Sequence, residues 1–210
     1  MTIELHLRDL GVPLIDAWRR AFAGVVAVQI SQGDIFSTRP GPIAAGAPID
    51  VTADAIVSPA NSFGFMDGGI DALYTYQFGG GLQDRLRALL AAEHHGELPV
   101  GMAVIVPTQH HDIPWCISAP TMRVPGNVAE TLNAYLAFRA ALHAVVEHNR
   151  RGHAPIRRIL CPGLATAVGQ MPVARCARQM RAAWDRVVGD HAPSFGSLRA
   201  AAADEVELLR

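Results

Sequence analysis

Residues 54 to 71 read Asp-Ala-Ile-Val-Ser-Pro-Ala-Asn-Ser-Phe-Gly-Phe-Met-Asp-Gly-Gly-Ile-Asp, which sets a carboxamide (Asn61), two adjacent glycines (Gly68, Gly69) and a carboxylate (Asp71) close together. An amide both donates and accepts, which suits sugar hydroxyls. Backbone N–H groups at the start of a helix suit a phosphate. A carboxylate beside them can orient or deprotonate a water. Residues 161 to 172, Cys-Pro-Gly-Leu-Ala-Thr-Ala-Val-Gly-Gln-Met-Pro, form a second turn of this kind. Each residue alone has a plainer use: Asn61 can close its own turn, and Asp71 can favour the positive end of a helix. Together, at a strand-to-helix junction, they mark a candidate site.

The positioning elements follow from the apolar pattern. Ala55-Ile56-Val57 and Ile159-Leu160-Cys161 are short unbroken apolar runs, as in strands covered on both faces. Each ends at a proline, which offers no ladder donor. Ile70 to Tyr74 reads as a first helical turn, and Pro172 opens a helix whose stripe is Val173, Cys176, Ala177, Met180, Trp184 and Val187. Arg175, Arg178 and Arg181 fall off that stripe and are expected in solvent. Upstream, Ile3 to Leu7 alternates like an edge or half-buried strand, Pro13 to Phe22 is helical, and Val25 to Ile30 is a second strand. Residues 37–53 form a long connection with a small strand expected near Ile49 to Val51.

Further along, Leu82 to Glu93 is a helix after the break at Gly79-Gly80-Gly81, and Met102 to Val106 pairs with Trp115 to Ala119 across a polar turn. Asn127 with Glu130 looks like a capping box opening a helix to about His148, with Leu132, Leu136 and Ala140 inward. The stretch after Pro193 and Gly196 is a short helix or a frayed tail. Alternating helices and strands predict a three-layer α/β/α sandwich with a mixed central sheet. The expected organisation is one domain over 1–210, with a core at about 25–190, a strand-helix extension at 1–24 and a tail at 191–210. The loops after Val57 and Cys161 would then face each other across the sheet's carboxyl edge, a cleft for a diphosphate.

Composition removes several classes of function. The chain has 210 residues, 50% hydrophobic and 18% charged, with a formal net charge of −1 and a pI near 6.7. That balance argues against a nucleic-acid partner held by phosphate neutralisation. All 18 basic residues are arginine, so P-loop, Schiff-base and general-base lysines are excluded. Cys116, Cys161 and Cys176 are widely spaced, and the first two lie in or beside apolar runs as inert thiols would. No signal-like segment or apolar span of about 18 residues occurs, so no membrane partner and a reducing, cytoplasmic setting are expected. The adjacent pairs His94-His95 and His110-His111 would diverge on a helix or strand, so no metal and no cofactor are expected.

With these motifs in view, the chain resembles the macrodomains that bind ADP-ribose, from about Val25 to Val188. Gln32-Gly33-Asp34-Ile35 is similar to the family segment whose aspartate takes the adenine amine. The run from Asp54 through Ala60 to Asn61 resembles the strand whose asparagine holds the distal ribose. Gly68-Gly69-Ile70-Asp71 is similar to the first phosphate loop, at the spacing of the hydrolytic, MacroD-type members. Ala165, Thr166, Ala167, Val168 and Gly169 fall in the second phosphate loop. The resemblance implies a ligand site of these residues, with Asn61 and Asp71 catalytic, and with Phe63, Phe65, Met66 and Val168 as candidate apolar walls. Ala167 stands where many hydrolytic members have glycine, Gly169 where they have an aromatic residue, and Tyr74 where many have histidine. The implied activity is hydrolysis of ADP-ribose from an ADP-ribosylated macromolecule, or cleavage of O-acetyl-ADP-ribose or ADP-ribose-1″-phosphate. A non-catalytic ADP-ribose reader and a binder of another nucleotide are the alternatives.

Overall fold

The computed structural model describes residues 2–44, 47–189, 191 and 193–210. Positions 45 and 46 of the expected 37–53 connection, and 190 and 192 at the expected boundary of core and tail, lie outside the described residues. Strands β1 (Glu4–Asp9), β2 (Val28–Gln32), β3 (Ala55–Ser58), β4 (Val104–Pro107), β5 (Trp115–Ser118) and β6 (Arg158–Cys161) form one sheet in the order β2-β1-β6-β3-β5-β4. Among the described residues, only the β4 and β5 pair is antiparallel. The sheet is therefore mixed, as expected, and β4 and β5 form the predicted pair.

Helices α1 (Val12–Ala21), α4 (Asn133–Arg150) and α5 (Val173–Val187) cover one face of the sheet. Helices α2 (Gly69–Phe78) and α3 (Gly81–Glu93) cover the other. Gly79, at φ +80°, ends α2 and lets α3 start at once. On the first face Trp18, Phe138 and Met180 are buried, and the Trp18 indole N–H points at the Met180 sulfur at 3.4 Å. Burying each such side chain stabilises the fold by roughly 1.5–3 kcal/mol. Leu82, Leu86 and Leu90 of α3 pack as the i, i+4 pattern requires on the other.

Several expectations are corrected. Of the two placements expected for β1, edge or half-buried, the second holds: it lies inside the sheet between β2 and β6, with Leu5 and Leu7 buried and Glu4 exposed. The segment before Val25 thus supplies an internal strand, and β2 takes the edge. Residues 49–51 are not a strand; Asp50 instead ties the connection down, its N–H donating to the Phe36 carbonyl and its carboxylate accepting from Ser37 Oγ and the Thr38 N–H. Helix α4 starts at Asn133, not Asn127, because Asn127 accepts from the Ala129 N–H in a local turn and Glu130 pairs with Arg175. Its buried face is Ala134, Ala137, Phe138, Ala140, Ala141, Leu142 and Val145, so Ala140 points inward as expected while Leu132 and Leu136 are half-buried. Arg175 is not a solvated residue: its side chain is 11% exposed and donates to the Ala129 carbonyl. The tail forms α6 (Leu198–Leu209), which docks through buried Leu208 and the Arg186–Asp204 ion pair.

Candidate functional site

Five parallel strands, β2, β1, β6, β3 and β5, end at the same edge of the sheet, so the loops after them gather there. The chain leaves β1 for α1 on one face and leaves β3 for α2 on the other, which opens a crevice outside the carboxyl ends. A cavity of about 370 Å³ lies in it, within the usual range for small-ligand sites. Asp9 lines it from the end of β1, and residues 59–61 and 65 from the loop after β3. The start of α2 and residues 162, 163 and 165–169 after β6 complete the two long walls.

The first wall is a helix start without a side-chain cap. Gly68 is the residue before α2, in extended conformation, and Gly69 has φ +56°, which favours glycine. Among the described residues no side chain accepts from the first N–H groups of α2, and Gly68 to Asp71 line the cavity. Pairing between β3 and β5 continues past Pro59 through Ala119 N to Ser58 O, Thr121 N to Ala60 O and a bridge between Asn61 and Met122. Ala60 and Asn61 are thereby held at the cavity wall.

The second wall is a tight loop. Ala165 has φ +60°, and its carbonyl accepts from Met171 N–H at 2.9 Å while the Ala167 carbonyl accepts from Gln170 N–H at 3.0 Å. Among the described residues, the N–H groups of 165–169 have no partner within the chain. They complement the start of α2 as a set of neutral donors for an anion. Gly169 is required by space: a Cβ there would collide with the Ala165 carbonyl and stand 2.8 Å from Val128 Cγ2. Gly169 thus lets the loop close.

Asp71 is buried on the first turn of α2 and accepts from Ser58 Oγ at 2.6 Å. Burial raises its carboxyl from the ordinary 3.8 to about 6, partly opposed by the Ser58 hydrogen bond. Such a group holds and releases a proton near neutrality. Tyr74 is fixed below it, donating to the Val57 carbonyl at 2.9 Å. Phe65 and Val168 stand half-exposed at the rim, whereas Met66 belongs to the buried core and Phe63 lies under Arg123. Among the described residues no basic side chain lines the cavity.

Asn61, Ala60, Gly68, Gly69, Ile70, Asp71, Ala165, Thr166, Ala167, Val168 and Gly169 all meet at this cavity. Asp34 and Ile35 do not line it. Asp34 follows the edge strand β2, where Arg8 donates to its carbonyl at 2.6 Å and its carboxylate accepts from Phe36 N–H at 3.0 Å. Ile35 is buried in the α2/α3 core. The internal β1 brings Asp9 to the cavity instead, its Oδ1 accepting from Gly11 N–H at 2.7 Å. The missed signal was Asp9 at the end of the first alternating strand, before Gly11 and the helix. Asn61 closes its own turn, the plainer of its two expected uses: its Nδ2 donates to the Phe65 carbonyl at 2.7 Å and its Oδ1 accepts from Phe63 and Phe65 N–H. One amide hydrogen is left for a ligand.

Away from the cavity, His110, His111 and Asp112 do not diverge. They sit in the turn between β4 and β5, with ligand atoms within 4.8 Å of one another. His111 Nε2 is 3.1 Å from Asp112 Oδ2, a polar contact within the turn. All three cysteines are buried, and burial pushes their thiols up, Cys176 to about 12. They are inert.

A family model described as Macro domain matches residues 57–180 of the chain. An uncharacterized protein of Aeropyrum pernix is 31% identical over 145 residues, a match that takes in 66% of this chain and 70% of the relative. The fold is similar to an Oceanobacillus iheyensis macrodomain variant solved with ADPR, at a TM-score of 0.56 and 18% identity over 75% of this chain and 87% of that one. It is also similar to the macrodomain of Mycobacterium tuberculosis DarG, at a TM-score of 0.53 and 18% identity over 70% of this chain and 90% of that one. Among the described residues no helix is long and apolar enough to cross a membrane.

Proposed function

We propose that this chain, which belongs to the macro domain family, binds ADP-ribose in the cavity at the carboxyl edge of its sheet and hydrolyses it from an ADP-ribosylated partner or a small derivative. The observation that carries the reading is the pairing of two walls of unused backbone N–H groups, at the start of α2 and in residues 165–169, across one cavity. A diphosphate seated between them is met by neutral donors, without a lysine or arginine. Asp9 is the acceptor for the exocyclic amine, the role the resemblance assigned to Asp34. Asp71, with its carboxyl near 6, orients or deprotonates the water that attacks the anomeric carbon. A nearby carboxylate also favours the positive charge developing there.

One observation favours a reader that binds without turnover: Asn61 spends most of its amide on its own loop, and Gly169 offers no ring to the distal ribose. Calorimetric titration with ADP-ribose, AMP and NAD, followed by release of ADP-ribose from an ADP-ribosylated protein, separates the readings. Binding of ADP-ribose well above AMP together with release supports the hydrolase. Binding without release leaves the reader. No heat and no thermal shift at millimolar ligand removes both.

A further inference from the structure

We propose that Ser58 is a positioning residue for Asp71, fixing one carboxylate oxygen so that the other is presented to the cavity; the proposal rests on the hydrolytic reading of the site. Ser58 is the last residue of β3 and fully buried, and its hydroxyl donates to Asp71 Oδ1 at 2.6 Å. Among the described residues Oδ2 accepts no hydrogen bond, and Asp71 lines the cavity. A carboxylate at the start of a helix turns freely about its terminal torsion unless something holds it. A hydroxyl on a strand end, held by the parallel pairing of Ser58 with Ser118 of β5, is a rigid hold.

The neighbours of the pair strengthen the assignment. In parallel register with Ser58 stands Ser118, whose hydroxyl is buried without a partner among the described residues. Of the two side-by-side hydroxyls at this edge, only that of Ser58 reaches Asp71. The other titratable groups around Asp71 are Tyr74 on its own helix, Cys116 on β5, and Asp9 and Asp67 on the cavity wall, all neutral or negative. None of them can donate charge to hold the carboxylate. Ser58 is the group that offsets burial, which otherwise favours the protonated acid.

The test is a carbon-detected NMR titration of the Asp71 carboxyl in the wild type, Ser58→Ala, Ser58→Cys and Ser118→Ala, with pH–rate profiles of ADP-ribose release on the same proteins. Removing the donor in Ser58→Ala should raise the Asp71 midpoint by about one unit and move the acid limb of the rate profile with it. The turnover number should fall about ten- to a hundredfold with KM little changed. Ser58→Cys keeps the volume and weakens the donor, so it should shift in the same direction by less. Ser118→Ala should titrate as wild type. An Asp71 midpoint unmoved in both Ser58 variants overturns the proposal. A wild type that binds but never releases ADP-ribose sinks the hydrolytic reading instead, with the titration result still readable.

Discussion

Gly163 closes on Asp9: a Cβ at Gly163 would stand 3.4 Å from the Asp9 carboxylate, 2.7 Å from Thr166 Oγ1 and 2.5 Å from Leu14. The end of β1, the start of α1 and the turn after β6 therefore pack together, and Asp9, Gly163 and Thr166 line one corner of the cavity. Replacing Asp9 with alanine should weaken ADP-ribose about ten- to a hundredfold, the worth of hydrogen bonds to a charged acceptor. Asp34→Ala should leave affinity unchanged and cost only local stability, since Asp34 serves its own turn. Calorimetry on the two variants decides between the carboxylates; the reverse ranking would return the role to Asp34.

Asp71→Asn should lower the rate of ADP-ribose release by about 10² to 10⁴ while ADP-ribose affinity stays within a few fold. Single-turnover release measured beside calorimetry checks it. Equal losses of rate and affinity would mean that Asp71 holds the ligand and does no chemistry.

The same carboxyl sets a pH dependence of folding. Its folded value, about 6, lies above the ordinary 3.8, so between the two the folded chain binds more protons than the unfolded one. This contribution is fully present below pH 4 and fades as pH rises through 6, a loss of about 3 kcal/mol. Asp71→Asn lacks it, so the variant should gain stability over wild type between pH 5 and pH 8. Urea melts at both pH values measure the difference.

Gly169→Ala should distort the 165–169 loop, because the added methyl meets backbone at Ala165, which cannot swing aside as a side chain can. The expected loss is about 1–3 kcal/mol or more, with a melting temperature lower by several degrees and ligand affinity reduced. A normal melt with normal binding would show that the loop opens at little cost.

Native protein should take up a thiol reagent at none of Cys116, Cys161 and Cys176, and at all three in denaturant, since each is buried with its thiol pushed up. Labelling followed by mass spectrometry reads this directly.

The sequence alone determined the layers, the paired strand-to-helix loops and most of the residues around the cavity. These are local: Ala55-Ile56-Val57 and Ile159-Leu160-Cys161 are apolar on both sides, Pro59 follows the first after Ser58 and Pro162 the second at once, and Gly68 and Gly69 open a helix whatever lies beyond. Tertiary structure decided what depends on strand order and on competition between partners. The alternation of Ile3 to Leu7 cannot tell an edge from an internal strand, because β1 is packed by α1 and α5 on one face while its other face carries Glu4, His6 and Arg8. Placing β1 beside β6 brings Asp9 to the cavity wall and leaves Asp34 outside it. Asn127 and Glu130 spell a capping box, yet Gln170 and Arg175 from distant loops and helices claim their side chains and delay α4 to Asn133. Ser58 is a strand end in sequence, and only the folding of α2 over β3 makes it the donor to Asp71.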